Sequence, residues 1–338
     1  MSKTKIIKLI MLCIAVFTLP LTNFATNQVN EVAEAKSEIE QSAIDLIDGW
    51  SVPYYFDKEH QVFLKANAVK NFKSQVNTVI AGSSHLQSLS SEDVGNDAIN
   101  LSIGGGTFQD KLNAFGLLDY YGVKYDKVVM DLTMIELYKT KFEDNKANAI
   151  NSFGKYFLDV LDKKEKKTNP ITNFNKHYKN KTNLDLKAKF KLEDADKNTF
   201  HYKSDLSTIY PEYIFGERKN KNAGDVKGFY DADKMCANIH IDKEAKSIFT
   251  KLMQYLKEKN VSVYIMMVPK PPYIYDDLEM GNYPIVGEIN YYLIELIEKY
   301  GCKIGGSYDP HFMGVTIDDY YDNYHMLPPS FKKYYYFE

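Results

Sequence analysis

The sequence predicts an α/β fold with a mostly parallel central sheet and helices on both of its faces. Two apolar runs, at residues 76–81 and 98–103, each lead into glycine, as buried strands that enter turns do. A third run, at 261–269, is apolar without alternation, which is typical of a strand buried on both faces. Amphipathic stretches at 243–259 and 285–300 flank that run, and this order favours parallel strands joined by right-handed crossovers.

Length and composition are those of a globular protein. A chain of 338 residues can bury a sizeable core in one large domain or two small ones. Hydrophobic residues make up 44% and charged residues 26%, and the formal net charge of −3 argues against a nucleic-acid-binding protein. Of the three cysteines, Cys13 lies in an N-terminal apolar run. The other two, Cys236 and Cys302, make no disulfide framework, although a single bridge between them is one possibility.

The N-terminus predicts an export signal. Lys3, Lys5 and Lys8 precede an uncharged apolar run over residues 9–25, the pattern of a signal peptide or an uncleaved membrane anchor. The run is short for a membrane span of about 20 residues, and Pro20 near its end suits a signal peptide. No good cleavage site follows directly, so residues 1–25 predict an extracytoplasmic protein that is either secreted or tethered.

Residues 26–75 are expected to connect this segment to the folded domain. Residues 26–48 are rich in Glu, Ala and Gln with few apolar positions, which favours a juxtamembrane helix or spacer over core. From Trp50 onward the sequence is mixed and rich in turn residues, and we interpret it as a lead-in that covers one edge of the sheet. The main domain is then predicted to span residues 76–338.

Chemistry-bearing residues follow the first two predicted strands. Ser83 and Ser84 come directly after Gly82, and three glycines, 104–106, end the second strand. A serine at a strand end supplies a nucleophile, and glycine lets backbone N–H groups approach a developing oxyanion. These two neighbouring turns therefore predict an acyl-transfer site.

The middle of the chain departs from regular alternation. A helix over 109–121 closed by Gly122 and a strand from Val128 are expected first, and Asp131, Thr133 and Glu136 follow that strand. Residues 162–235 are polar and rich in lysine and asparagine, which indicates an insertion. It is either a basic cap for an anionic polymer or lipid headgroups or a solvated surface segment.

The C-terminal part supplies a candidate general base. Asp322 and His325 are three residues apart, a spacing that puts both side chains on one side of a turn, where the carboxylate can orient the imidazole toward serine. Asp318, Asp319 and His85 are rival partners. A second pair, Asp309 and His311, makes a metal site conceivable, but no third cluster has ligand spacing, so no metal is predicted.

The three blocks together resemble one superfamily. GSSH at residues 82–85 resembles the Gly-Asp-Ser block of the SGNH/GDSL hydrolases, with Ser84 as nucleophile. NLSIGGGT at residues 100–107 resembles their second block, with Gly105 as the oxyanion-hole glycine, and DNYH from Asp322 to His325 matches their Asp-x-x-His block. The serine in place of aspartate resembles the DltD-like and AlgX/AlgJ-like branch, whose members act outside the cytoplasm.

This resemblance implies a three-layer, flavodoxin-like SGNH fold and a Ser84–His325–Asp322 triad, with the N–H groups of Ser84 and Gly105 as the oxyanion hole and no cofactor. It further implies transfer of an acetyl or D-alanyl group to a cell-envelope polysaccharide or teichoic acid, together with a membrane-bound O-acyltransferase. The family's Gly-x-Asn-Asp block is missing around Asp131, which counts against an ordinary secreted esterase. A carbohydrate esterase of the same fold and a non-catalytic polymer-binding adaptor remain the alternatives.

Overall fold

A computed structural model describes residues 39–55, 57–72, 75–95, 97–138, 151–178, 189–212, 233–322 and 324–337. The strands are β1 (Val52–Pro53), β2 (Val76–Ile80), β3 (Ala98–Asn100), β4 (Tyr125–Asp131), β5 (His201–Tyr202), β6 (Thr208–Ile209), β7 (Ser262–Met267) and β8 (Lys303–Gly306). The helices are α1 (residues 39–47), α2 (Lys58–Asn71), α3 (Ser91–Val94), α4 (Phe108–Tyr121), α5 (Ser152–Leu161), α6 (Pro170–Tyr178), α7 (Lys243–Glu258), α8 (Pro272–Asp277), α9 (Pro284–Tyr300), α10 (Pro310–Met313) and α11 (Pro328–Tyr334).

Five strands form one parallel sheet in the order β3-β2-β4-β7-β8. The prediction of an α/β fold with a mostly parallel sheet is therefore confirmed. The chain runs from β2 outward to β3 and then returns to the other side of β2 to form β4. The connection after β2 leads to one side of the sheet and the connection after β4 leads to the other, which opens a crevice at the carboxyl ends of β2 and β4. Ser83 and Ser84 follow β2, and Asp131 ends β4, so all three lie at this crevice.

Alternate strand residues enter two apolar clusters, one on each face of the sheet. Val79, Val128 and Ile265 belong to the larger cluster, with buried residues of α2, α4, α7 and α9. Ile80 and Met266 belong to the smaller cluster, with buried residues of α11 and the C-terminal end. Because side chains of a strand alternate between faces, burial of both sets explains why the run at 261–269 is apolar from Val263 onward.

Helix boundaries follow from local capping. Helix α4 begins after Thr107, whose side chain forms a capping box with Asp110, and ends at Gly122, which has a φ of 69°. Helix α7 begins after Asp242, whose carboxylate accepts the N–H of Ala245. Side-chain acceptors satisfy free N–H groups at a helix start, and glycine adopts the left-handed conformation at its end. The helices predicted over 109–121 and 285–300 are present.

A second sheet covers the open edge of the first. Strands β1, β5 and β6 pair antiparallel, and the N–H of Asn100 in β3 donates to the carbonyl of Asp205, 2.8 Å away. Covering an edge strand removes a template for unwanted pairing. The predicted lead-in supplies β1, whereas β5 and β6 come from the region predicted as an insertion. Residues 179–188 and 213–232 of that region lie outside the described residues.

The segment before β1 differs from expectation. Ile39, Ala43 and Leu46 of α1 are fully buried in the larger apolar cluster, so this part of the predicted spacer belongs to the core. The spacing of these three residues matches one face of a helix, a signal that the polar composition around them obscures. None of the helices in the described ranges is long and apolar enough to cross a membrane, and the predicted export segment, residues 1–25, lies outside those ranges.

The two cysteines of the folded part are not joined. Cys236 and Cys302 are both buried thiols without a disulfide. The bridge considered from the sequence is therefore absent. Burial raises the pKa of each thiol to about 11, so neither is a reactive thiolate at neutral pH.

Candidate active site

Ser84, His325 and Asp322 form one hydrogen-bonded chain. The Oγ of Ser84 lies 2.8 Å from Nε2 of His325, and Nδ1 of His325 lies 2.7 Å from Oδ2 of Asp322. A carboxylate can only accept, so Nδ1 carries the proton and Nε2 is left to accept the serine hydroxyl. The three residues are separated by up to 241 positions in sequence, and the fold brings them into the geometry of a nucleophile, a general base and an orienting carboxylate.

The loop that carries Asp322 and His325 is built to hold this geometry. Oδ1 of Asp322 accepts the N–H groups of Tyr324 and His325 at 2.7 and 2.6 Å, as an aspartate that closes its own turn does. Tyr320 and Met326 pair across the base of the loop. The Tyr321 ring lies parallel to the His325 ring, with centroids 5.5 Å apart, which restricts rotation of the imidazole.

The carboxyl of Asp322 is held in its charged form. Burial alone would raise its pKa, but the hydrogen bond and charge of His325 and the two backbone N–H groups outweigh burial and lower the pKa below the usual value. The charged carboxylate is the form that stabilises an imidazolium while Ser84 reacts.

The rival carboxylates are placed elsewhere. Asp318 is exposed. Asp319 is buried and accepts hydrogen bonds from the N–H of Thr316 and from the hydroxyls of Ser330 and Tyr334, at 2.9, 3.0 and 3.0 Å. It therefore holds α11 against the preceding turn and does not contact His325.

The rival base, His85, lies close to the site without joining it. Its ring centroid is 5.2 Å from that of His325, and its Nδ1 is buried without a hydrogen-bond partner among the described residues. Burial, followed by the neighbouring charges of His325 and Lys270, lowers the pKa of His85 well below the usual value. His85 is thus a neutral wall of the site, and the geometry favours His325 as the base.

The predicted oxyanion hole has unpaired donors. The N–H of Gly104 donates to Oε1 of Gln61 at 2.9 Å, and that of Gly106 donates to the carbonyl of Ile103 at 2.9 Å. The N–H groups of Gly105 and Ser84 have no acceptor among the described residues. Donors left free beside a nucleophile are what stabilisation of an oxyanion requires.

Glycine is required at two of these positions for different reasons. Gly105 has a φ of 61°, which favours a residue without a Cβ. At Gly106 a Cβ would lie 2.7 Å from the carbonyl oxygen of Ile103 and 3.0 Å from that of Gly82. The glycine loop therefore packs directly on the backbone that precedes Ser84.

A buried charged cluster supports the serine turn from below. Asp131 accepts the N–H of Ser83 at 3.2 Å and also its hydroxyl. Lys111 of α4 lies 2.7 Å from Asp131 and also contacts Glu136, which accepts the N–H of Thr133 at 2.9 Å. Asp131 thus lies at the end of β4, the region where the resemblance implies an asparagine. Its carboxylate accepts hydrogen bonds from Ser83 and so holds the serine turn in place.

Burial sets the charge state of this cluster. Burial raises the pKa of Glu136 to about 7, with Lys111 opposing that rise and Asp131 adding to it. Burial would lower the pKa of Lys111, but the carboxylates of Asp131 and Glu136 outweigh burial and raise it. The ammonium is therefore charged at neutral pH.

Sequence reasoning missed the residues that hold the two turns. Gln61 contacts the glycine loop, and Lys65 donates to the carbonyls of Asn100 and Ser102 at 3.0 and 2.6 Å. Lys65 and Lys111 are fully buried, yet in sequence each is one lysine among many. Only the apolar neighbours on the same helical stretch signal that these polar side chains face the core.

A metal ion has no evident site here. Within the described ranges, no group of three or more His, Cys, Asp and Glu side chains lies close enough to hold one. Asp309 accepts the N–H of His311, whose Nε2 lies 2.7 Å from the exposed Asp276, so this pair is occupied by local contacts.

No protein-family model matches the chain, and none of the curated proteins matches it in sequence. The features that bear on function are therefore the geometry of Ser84, His325 and Asp322 and the sequence blocks that contain them.

Proposed function

We propose that this protein is an exported serine acyltransferase of the SGNH type. The observation that carries the proposal is the hydrogen-bonded chain from Ser84 through His325 to Asp322, at 2.8 and 2.7 Å. Its position supports the same conclusion, because Ser84 follows β2 at the crevice beside β4. Numbered within the sheet, the strand order is 2-1-3-4-5, the flavodoxin-like order that is expected of a three-layer SGNH fold.

The reaction proceeds in two half-reactions. The Oγ of Ser84 attacks the acyl carbonyl carbon while Nε2 of His325 takes the hydroxyl proton. The N–H groups of Ser84 and Gly105 donate to the resulting oxyanion. The bond to the leaving group then breaks, the leaving group takes the proton from His325, and the acyl group stays on Ser84.

In the second half-reaction an acceptor hydroxyl gives its proton to His325 and attacks the acyl carbon. The bond from that carbon to Oγ of Ser84 breaks, and Oγ recovers the proton. The acceptor we propose is a hydroxyl of a cell-envelope polysaccharide or teichoic acid, with the acyl group supplied through a membrane-bound O-acyltransferase. Water as acceptor would make the protein a carbohydrate esterase.

The proposal is tested by labelling the purified full-length chain with a fluorophosphonate and measuring intact mass. We expect one adduct on the wild type. Ser84→Ala removes the nucleophile and His325→Ala removes the base, so both should abolish the adduct. His311→Ala, at an exposed histidine whose Nε2 pairs with the exposed Asp276, is the matched control and should label like the wild type.

Each other result has a defined meaning. An adduct that persists in Ser84→Ala would identify a different nucleophile and overturn the triad. Absence of labelling in the wild type, under conditions that label a known serine esterase, would favour the non-catalytic adaptor. Once Ser84 is acylated, release of the acyl group to water without a polymer acceptor would favour the esterase.

A further inference from the structure

The side-chain oxygen of Gln61 receives a hydrogen bond from each of the two turns that form the candidate site. The N–H of Gly104, in the glycine loop, donates to Oε1 of Gln61 at 2.9 Å. Nε2 of Gln87 donates to the same oxygen at 2.9 Å, and Gln87 directly follows the 3₁₀ turn Ser84–Leu86. One oxygen atom therefore joins the turn that carries the nucleophile to the loop that carries Gly105.

The hydroxyl of Tyr54 closes these contacts into a ring. It donates to Oε1 of Gln87 at 3.1 Å and accepts from Nε2 of Gln61 at 3.0 Å. Nε2 of Gln61 also donates to the carbonyl of Tyr55 at 2.9 Å. Because a primary amide offers two donors and two acceptor sites, all four positions of Gln61 are occupied, and its orientation is fixed.

The ring is neutral and shielded from water. Gln61 and Gln87 are 1% and 3% exposed. Burial raises the pKa of Tyr54, with Gln87 and Gln61 opposing the rise, so the hydroxyl keeps its proton at neutral pH. An apolar side chain at position 61 would leave the N–H of Gly104 and the amide of Gln87 without their acceptor. Buried donors without a partner are costly, so both turns would move until these donors are satisfied.

The same contact determines which N–H of the glycine loop stays available. The N–H of Gly104 is taken by Gln61, and that of Gly106 by the carbonyl of Ile103 at 2.9 Å. Gly105 lies between these two held groups, has a φ of 61°, and keeps an N–H without an acceptor among the described residues. A Cβ at Gly104 would lie 3.1 Å from Nε2 of Gln61, so the loop packs directly on this amide.

A backbone contact supplies a second link between the two turns. The N–H of Ile103 donates to the carbonyl of Gly82 at 3.1 Å, which joins the chains ahead of Ser84, whereas Gln61 joins them through Gln87, beyond it. Two links at different points restrict both the separation and the relative orientation of the turns. An oxyanion hole depends on this restriction, because its donors act only at a defined distance from the oxyanion.

We propose that Gln61, together with Gln87 and Tyr54, is a positioning residue that sets the N–H of Gly105 relative to the N–H of Ser84. The inference rests on the proposed function, since an oxyanion develops only if Ser84 is acylated. Gln61 acts through the backbone of the two turns. Its removal should therefore slow the acylation step and leave the binding of the acyl donor unchanged.

The test separates these two effects with one activated ester. Full-length protein is mixed with an excess of 4-nitrophenyl acetate, and release of 4-nitrophenolate is followed during the first turnover. The limiting rate constant should fall by roughly 10–100-fold in Gln61→Met, because a displacement of about 1 Å in a catalytic group can cost about 10²-fold. The ester concentration at half-saturation should stay the same.

Gln87→Met tests the other end of the link, and Tyr54→Phe is a milder variant should either glutamine variant fold poorly. If the three side chains act as one unit, substituting both glutamines should cost about as much as substituting one, whereas independent effects would multiply. First-turnover rate constants with excess ester do not depend on the fraction of folded protein, which separates positioning from stability.

Asn67→Leu is the matched control. Asn67 is a buried amide on the same helix, 5% exposed, and its Nδ2 donates to the carbonyl of Phe63 within that helix at 3.0 Å. Its replacement should leave the limiting rate constant unchanged. A loss in Asn67→Leu equal to that in Gln61→Met would show that any buried amide of α2 has this effect, and it would overturn the positioning role.

The outcomes distinguish this inference from the proposed function. If the wild type reacts and Gln61→Met reacts equally fast, or if only the half-saturation concentration changes, the positioning role fails while an activated serine remains. If only the fluorophosphonate modifies Ser84, its labelling rate constants provide the same comparison, since the phosphonyl oxygen needs the same donors. If neither reagent modifies Ser84, the proposed function fails, and the positioning role fails with it.

Discussion

Asp322 is connected to Ser84 only through the imidazole of His325, so the role that we propose for it is one of orientation. It holds Nδ1 of His325 at 2.7 Å and fixes its own turn through two backbone N–H groups. One side chain thus positions the loop and selects the tautomer. A neutral amide could replace the turn contacts but could also donate to Nδ1, which would favour the wrong tautomer.

We therefore expect Asp322→Asn to fold normally and to lose activity. The rate of Ser84 acylation should fall by about 10³–10⁴-fold, measured by intact mass under single-turnover conditions. Asp318→Asn, an exposed neighbour, is the control and should react like the wild type. A comparable loss in Asp318→Asn, or none in Asp322→Asn, would show that a different carboxylate orients the base.

Three elements meet beneath the serine turn. Lys111 from α4 joins Asp131 at the end of β4 and Glu136 in the short helical turn Met134–Leu137. The side chains of all three residues are at most 2% exposed, so water does not solvate their charges, and the two carboxyl groups depend on the Lys111 ammonium and on the N–H groups of Ser83 and Thr133. The turn that carries Ser84 and the segment after β4 are thereby held in one arrangement.

Removal of the cation should disturb both stability and reaction. Lys111→Met leaves two buried carboxyl groups without their cation, and breaking a buried ion pair costs about 3–5 kcal/mol in the free energy of unfolding. Urea unfolding measures that loss, and acylation of the remaining folded protein should also slow because Asp131 no longer holds Ser83 in place. Lys124→Met, at an exposed lysine before β4, should cost less than about 0.5 kcal/mol. Equal costs for the two variants would contradict a structural role for the cluster.

For the molecule as a whole, Lys65 links stability to pH. Its side chain reaches from α2 to the carbonyls of Asn100 and Ser102 and is fully buried. Burial lowers its pKa from 10.5 to about 7, with Asp205 opposing that shift. Between these two values the unfolded chain binds a proton that the folded chain does not, so the free energy of unfolding rises with pH. Below that window both states are protonated, and the folded protein bears the full cost of a buried ammonium.

This dependence should disappear in Lys65→Met. From about pH 7 to about pH 9 the wild type should gain about 2 kcal/mol in the free energy of unfolding relative to the variant. Urea unfolding of both proteins at the two pH values measures the difference, in which the other titrating groups cancel. Lys70→Met, an exposed lysine on the same helix, should show no such change. A difference that stays constant, or shrinks, as pH rises would contradict the assigned charge state.

The parallel α/β architecture could be predicted because it depends on patterns within single segments. Apolar runs without alternation indicate strands covered on both faces, and helical spacing between them indicates crossovers. The identities of Ser84, His325 and Asp322 also came from short local blocks, as did the glycines that follow the second strand. Such signals lie in contiguous residues, so they can be recognised without knowing which other elements pack against them.

Only the tertiary structure decided which groups touch. The 2.8 Å contact between Ser84 and His325 joins distant parts of the chain. Three other features likewise depend on residues far apart in sequence. They are the ion pair of Lys111 with Asp131, the pairing of β1 with β5 and the burial of α1. Burial then determined which polar side chains contribute to stability through their partners, since an unpaired charge is costly in free energy only where water is excluded. Exposure is a property of the assembled fold, so the sequence alone does not distinguish a lysine in the core from a lysine on the surface.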